Sequence, residues 1–253
     1  MGYMNCLIIA AGRGSRLSER GDSKPLIPLL GLPLIERVIL TAKKVGLTEF
    51  IVVTGHNNEA VERQLTRFSV ERNIRITSIL NEEWEKDNGL SVLKAKKLLT
   101  ENFILLMGDH LFDESLLVKL MGEKVADGEV VLAVDYSIET NGFVVDGDVT
   151  KVLVEEDRIL DIGKNIEKYN AYDTGIFLCS PAIFEALEEG SGNGSTSLTE
   201  GMKVLAKKGK AKALDIKDGY WVDVDEEATY RLAEGKLLST LKKPADGPIS
   251  RHL

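Results

Sequence analysis

The sequence predicts an α/β fold: a Rossmann-like mixed, mostly parallel sheet flanked by helices, with a β-rich second half. Three observations carry this expectation. Short apolar runs, β-branched or leucine-rich, alternate with amphipathic segments through the first half of the chain. The first of those runs empties into a glycine turn, as strands do at the ligand rim of an open sheet. From Gly142 onward hairpin-like patterns dominate. A chain of 253 residues with 43% hydrophobic content can bury a real core in one large domain, expected over residues 1–240, with 241–253 as a linker.

Strands are predicted at Asn5–Ala10, 50–54, 74–80, Phe103–Met107 and 130–134, with helices at 33–45, 59–71, 90–99 and 114–121 between them. Pro33 opens the first helix and Gly46 follows its end, a good helix frame. Strand–helix alternation of this kind implies a parallel sheet covered on both faces. Farther on, 142–154 and 158–162 read as hairpin strands with turns at Asp146-Gly147-Asp148 and Glu155-Glu156-Asp157. Residues 172–180 form an apolar strand, Pro181 starts a helix, 191–195 is a glycine-rich loop, and 199–207 is helical. Strands at 211–216 and 220–224 and a helix at 226–241 close the domain.

A net charge of −8 argues against nucleic acid as a partner. Cys6 and Cys179 lie in apolar strands, so buried free thiols in a reducing cytoplasm are expected. Residues 4–11 are too short and lack the basic lead of a secretory signal, and no apolar run reaches membrane-spanning length.

The glycine turn carries the chemistry. Ala10-Ala11-Gly12-Arg13-Gly14-Ser15-Arg16-Leu17 is followed by Lys24-Pro25-Leu26. The glycines let backbone N–H groups approach a ligand, and Arg13, Arg16 and Lys24 add positive charge, which suits a polyphosphate. A Walker loop is excluded by spacing. A dinucleotide fingerprint is excluded because Leu17 stands at its third glycine and no carboxylate follows the second strand.

The same residues resemble the signature of the sugar-phosphate nucleotidyltransferases, over about residues 1–240. The resemblance implies that Ala10 to Ser15 wrap a nucleoside triphosphate and that Arg16 and Lys24 neutralise its phosphates. Asp109 ends an apolar strand, and Asp223 and Asp225 end another; a hydrophobically flanked carboxylate needs a partner, and Mg²⁺ is an economical one. The resemblance implies a metal aspartate after the central strand, matched by Asp109. It implies another acidic group near the domain end, assigned to Asp225 ahead of Asp223. Capping of the last helix is the alternative role for Asp225.

Asn81, Asn88, Gly89 and Ser91 follow the third strand; the resemblance makes them the base and ribose pocket, whereas residue type alone makes Asn88 a helix cap. Asp173, before Thr174-Gly175, can accept from sugar or cyclitol hydroxyls or mark a β-bulge. Lys164 stands about where the family holds the acceptor phosphate, without the family's Glu-Lys-Pro context. His56 and His110 make no zinc site; His110 supports Asp109 or faces solvent.

The segment from Asn170 to Cys179, the Asn88-Gly89-Leu90-Ser91 loop and the tail are similar to one branch, the CTP:inositol-1-phosphate cytidylyltransferases. In that branch the soluble half precedes a membrane-embedded CDP-alcohol phosphotransferase domain and serves synthesis of the compatible solute di-myo-inositol phosphate phosphate. The implied reaction joins CTP and inositol 1-phosphate at a membrane-tethered cytoplasmic site, with glucose 1-phosphate or phosphocholine as alternative acceptors. A glycosyltransferase using the Asp223-Val224-Asp225 triplet, and a non-catalytic nucleotide sensor, are the rivals.

Overall fold

A computed structural model of the chain describes residues 4–138, 149–192 and 194–241, with Leu241 described by its backbone alone. Strand β1 (Asn5–Ala10) leads through 3-10 turns at Ser15–Leu17 and Lys24–Leu26 to a short ribbon, β2 (Pro28–Leu29) and β3 (Leu32–Pro33), and then to α1 (Leu34–Lys44). Alternation continues with β4 (Glu49–Thr54), α2 (Asn58–Arg72), β5 (Arg75–Leu80), α3 (Asn88–Lys94) and β6 (Phe103–Met107). Next come β7 (His110–Phe112), α4 (Glu114–Gly122) and β8 (Val130–Asp135). The second half supplies β9 (Lys151–Glu155), β10 (Arg158–Gly163), β11 (Ala171–Cys179), α5 (Ala182–Ser191) and α6 (Leu198–Lys207). It ends with β12 (Ala211–Asp215), β13 (Trp221–Asp223) and α7 (Glu227–Leu241).

Nine of the described strands form one mixed sheet in the order β5-β4-β1-β6-β11-β8-β12-β10-β9. Pairing is parallel from β5 to β6 and between β8 and β12; β11 enters antiparallel between β6 and β8. The period-2 alternation of strand side chains divides the core into two layers. Leu7, Ile9 and Leu105 face α3, α5 and α6, while Cys6, Ile8 and Leu106 face α1, α2 and α4. A smaller third cluster packs Tyr230 and Ala233 of α7 on Leu17, Ile27, Leu29 and Val222, and so clamps the loop after β1.

The α1 frame holds, with Leu34, Ile35, Val38, Ile39 and Ala42 buried on one face and Gly46 at φ 96° after the last turn. The predicted helix at 90–99 instead runs Asn88–Lys94, because the chain tightens there into i→i+3 bonds such as Leu98 N to Ala95 O. The predicted strand at 220–224 leaves the main sheet and pairs with β7. Residues 142–148 of the expected hairpin, with the Asp146-Gly147-Asp148 turn, lie outside the described residues, as do Asn193 and 242–253 of the expected linker. Cys6 and Cys179 are buried free thiols whose pKa burial pushes up. Among the described residues no helix is long and apolar enough to cross a membrane.

Candidate active site

The loop after β1 turns because Gly14 adopts φ 69°, and it must be glycine twice over: a Cβ there would lie 2.7 Å from Lys24 Cδ. That approach seats the Lys24 stem under the loop, leaving the residue 7% exposed. Leu17, buried in the third cluster, anchors the far side of the turn.

Lys24 is the hub of the charges. Its Nζ lies 2.6 Å from Asp109 Oδ2, 2.5 Å from Asp225 Oδ1 and 3.7 Å from Asp223 Oδ1. Arg16 also pairs with Asp225. The β7–β13 ribbon brings the acids together: it sets Asp223 opposite His110, and Val224 N donates to Asp109 O. The Asp225 carboxylate meets Lys24 and Arg16, while Asp225 N and Glu226 N both donate to Thr229 Oγ1 at the start of α7.

Burial works against the Lys24 charge, but Asp109, Asp223 and Asp225 outweigh it and hold the ammonium above its ordinary pKa. The same contest pushes His110 up to about 9, with Asp223 and Asp109 overcoming desolvation. Burial would raise the Asp223 carboxyl, and His110 and Lys24 keep it low. His110 Nδ1 lies 2.9 Å from Thr174 O, so the ring is held between that carbonyl and Asp223 and does not face solvent.

Asp109, His110 and Asp223 each offer a ligand atom, all within 4.8 Å of one another. Asp223 Oδ1 is buried with no hydrogen-bond partner, its nearest cations standing off at 3.5 Å (His110 Nε2) and 3.7 Å (Lys24 Nζ). A hard divalent cation fits this oxygen-rich, partly unsatisfied set. Asp225, whose oxygens meet Lys24 and Arg16, stands beside that trio.

Two cavities meet at these acids. One, of about 310 Å³, is lined by Ala10, Ala11, Gly12, Lys24, Trp84 and Ser91, with open space where a Gly12 Cβ would point. The other, of about 270 Å³, is lined by Arg16, Thr150, Lys164, Asp173, Leu198 and Thr199. Asn88, Met107, His110, Asp223 and Asp225 line both. Arg13, Gly14 and Ser15 face a third hollow with Asp22 and His56.

Asp173 lies in a real β-bulge, since the β11–β8 register shifts between Asp173 and Phe177, and it also lines the second cavity. Its Oδ1 accepts from Gly175 N at 2.7 Å, and burial raises its pKa to about 6. Gly175 takes φ 72°, and a Cβ there would lie 2.6 Å from His110 Cε1.

Two expected nucleotide residues stand behind the cavities. Asn81 is 1% exposed, with Nδ2 donating to Ser91 Oγ and Oδ1 accepting from Glu83 N, so it braces the loop. Gly89 is a packing glycine, because a Cβ would lie 2.7 Å from Leu187 Cδ2. Asn88 is the first residue of α3 and not its cap; its Oδ1 accepts from Leu198 N. Sequence reasoning passed over Trp84, Thr150 and Thr199. Only Thr199 had a local signal, Ser197, which caps α6 through Glu200 N and so brings the next turn to the cavity.

An open α/β sheet with a glycine loop, a buried lysine and clustered acids at its strand ends defines a nucleotidyltransferase fold and site. The chain belongs to the MobA-like NTP transferase domain family, whose model matches residues 6–207. It is 35% identical over 249 residues to the "Bifunctional IPC transferase and DIPP synthase" of Rubrobacter xylanophilus, covering 97% of this chain and 55% of that protein. The protein of the same name from Aquifex aeolicus is 33% identical over 250 residues, covering 98% and 55%. The chain therefore spans about half the length of these curated relatives. Among solved structures, the inositol-1-phosphate CTP transferase from T. maritima superposes with a TM-score of 0.83 at 25% identity, covering 96% of this chain and 98% of that one.

Proposed function

We propose that this chain condenses CTP with inositol 1-phosphate to give CDP-inositol and pyrophosphate. The observation that carries the reading is the junction of the two cavities at Asp223 and Asp225, beside Lys24. One cavity offers the glycine loop, suited to a triphosphate, and the other offers Lys164 and Asp173, a cation for a phosphate monoester and a carboxylate for hydroxyls. The names of the Rubrobacter, Aquifex and T. maritima proteins favour cytidylyl transfer to this acceptor.

In this reading a phosphate oxygen of the acceptor attacks the α-phosphorus of CTP, the bond to the β-phosphate breaks, and pyrophosphate leaves. The nucleophile is already anionic, so no general base is demanded, and positioning and electrostatics supply the catalysis. Lys24 neutralises charge growing on the α-phosphate. Gly12 gives the nucleotide backbone N–H groups at close range, and Arg16, which lines the acceptor-side cavity, releases Asp225 and reaches across the junction to hold the β- and γ-phosphates. Asp109 and Asp225 would hold Mg²⁺, with Asp223 as a further ligand; when bound, the ion supplies positive charge toward phosphate oxygens. We assign residues 241–253 as the connector toward a second domain, supported by the greater length of the relatives and the two activities in their name; that this domain is membrane-embedded rests on the family resemblance alone.

The test is a panel of nucleoside triphosphates and phosphorylated acceptors, read by pyrophosphate release. CTP with inositol 1-phosphate is expected to exceed every other pair. A preference for glucose 1-phosphate or phosphocholine would move the chain to another branch of the family. Retention of full turnover in Lys24→Ala would sink the assignment altogether.

A further inference from the structure

The loop on the nucleotide side is tied by side chains to the wall of the acceptor side. Asp87 Oδ2 accepts from Ser195 Oγ at 2.9 Å and from Thr196 N at 2.8 Å. The next residue, Asn88, accepts from Leu198 N at 2.9 Å through Oδ1. Gly89 then lets the two segments touch, because any Cβ there would overlap Thr196 O. Three successive residues of one loop thus address 195–198. Leu198 opens α6 and, with Thr199, lines the cavity that holds Lys164 and Asp173.

The bond to Leu198 matters because first-turn N–H groups of a helix have no partner within the helix. Ser197 Oγ serves Glu200 N, while the Leu198 N–H is served from the other side of the cleft by Asn88. Trp84 and Ser91, which flank Asp87 and Asn88 in sequence, line the nucleotide cavity.

We infer that Asp87 and Asn88 set the acceptor-side wall from the nucleotide side of the cleft, so that acceptor affinity depends on both. Asn88 lines the nucleotide cavity as well, whereas Asp87, in the lining of neither cavity, is a positioning residue on which nucleotide affinity does not depend. The inference rests on the proposed assignment of the two cavities. Such a bridge couples the two ligands reciprocally.

The experiment compares wild type with Asn88→Ala, Asn88→Asp and Asp87→Ala. Calorimetry measures CTP binding without acceptor, and pyrophosphate release measures KM for inositol 1-phosphate. Loss of the hydrogen bond to Leu198 N is expected to raise acceptor KM about five-fold or more in Asn88→Ala. Asn88→Asp, which keeps an accepting oxygen for Leu198 N, is expected to recover most of the loss, and Asp87→Ala to show a smaller rise in acceptor KM with CTP affinity within about two-fold of wild type. An acceptor KM unchanged in Asn88→Ala, or CTP affinity falling in step with acceptor affinity in Asp87→Ala, overturns the inference. A wild-type protein that turns over no such pair overturns the proposed function instead. Amide exchange of the ligand-free protein then judges the bridge: exchange at Leu198 is expected to speed up in Asn88→Ala, and unchanged exchange there overturns it.

Discussion

Lys24 Nζ lies 2.6 Å from Asp109 Oδ2, joining the loop after β1 to the end of β6 across the floor of the cleft. The lysine is both a counter-ion that lets the acids cluster and a cation beside the junction of the cavities. Ligand binding must therefore divide its charge between carboxylates and phosphate.

Replacing Lys24 by Met is expected to act twice. Pyrophosphate release should fall about 10²–10³-fold, the usual cost of removing one preorganised group from a developing charge. In the presence of a chelator the protein should also lose about 3 kcal/mol of stability, because Asp109, Asp223 and Asp225 keep their charges without the buried ammonium. Added Mg²⁺ should return much of that loss. Thermal unfolding with and without the ion checks this, and a variant as stable in chelator as wild type would refute the hub role.

The three acids separate by substitution. Asp109→Asn and Asp225→Asn are each expected to weaken Mn²⁺ binding, followed by electron paramagnetic resonance, by about ten-fold or more. Asp223→Asn should weaken it as well, since Oδ1 of Asp223 is buried without a hydrogen-bond partner. Full Mn²⁺ affinity in Asp225→Asn with loss in Asp223→Asn would transfer the ligand role from Asp225 to Asp223.

Gly12 and Gly14 look alike in sequence and should behave differently. At Gly14 an alanine meets φ 69° and the Lys24 side chain, so Gly14→Ala should destabilise the protein by about 1–3 kcal/mol and impair turnover. At Gly12 no atom lies within 4 Å of a Cβ. Gly12→Ala should leave the melting temperature unchanged within about a degree and raise KM for CTP, because the methyl group occupies ligand space. Equal losses of stability in the two variants would contradict this division.

That contrast marks what could be read from sequence. The β1 strand, its turn and Lys24 were legible because they are local: strand pattern, glycine spacing and charge all fall in one short segment. Asp109 was legible for the same reason, at the end of an apolar strand. The antiparallel entry of β11 between β6 and β8 was not, because strand order is a long-range choice that no local pattern encodes. Nor was the β7–β13 ribbon, in which His110 meets Asp223. Asn81 and Gly89 had the residue types of a base pocket, yet their neighbours Ser91 and Leu187 claim them for packing. Polar type suggests a role, and only burial and partners decide it.

Asp173 provides a pH test of the acceptor side. Burial raises its pKa to about 6, above the ordinary carboxylate value of 3.8 in the unfolded chain. Between those values the folded protein holds a proton that the unfolded chain has lost. Stability therefore falls as pH rises from about 4 to about 6, and above that range the ionised group is a constant penalty. Asp173→Asn removes the ionisation and keeps an oxygen to accept from Gly175 N. The variant should be more stable than wild type by about 1–3 kcal/mol at pH 8, with the advantage shrinking steadily toward pH 4. It should also bind inositol 1-phosphate more weakly, since a carboxylate that accepts from hydroxyls is lost. Denaturant unfolding at pH 5 and pH 8 measures the first effect and acceptor KM the second. A stability difference independent of pH would show that the Asp173 carboxylate is not strained by its burial.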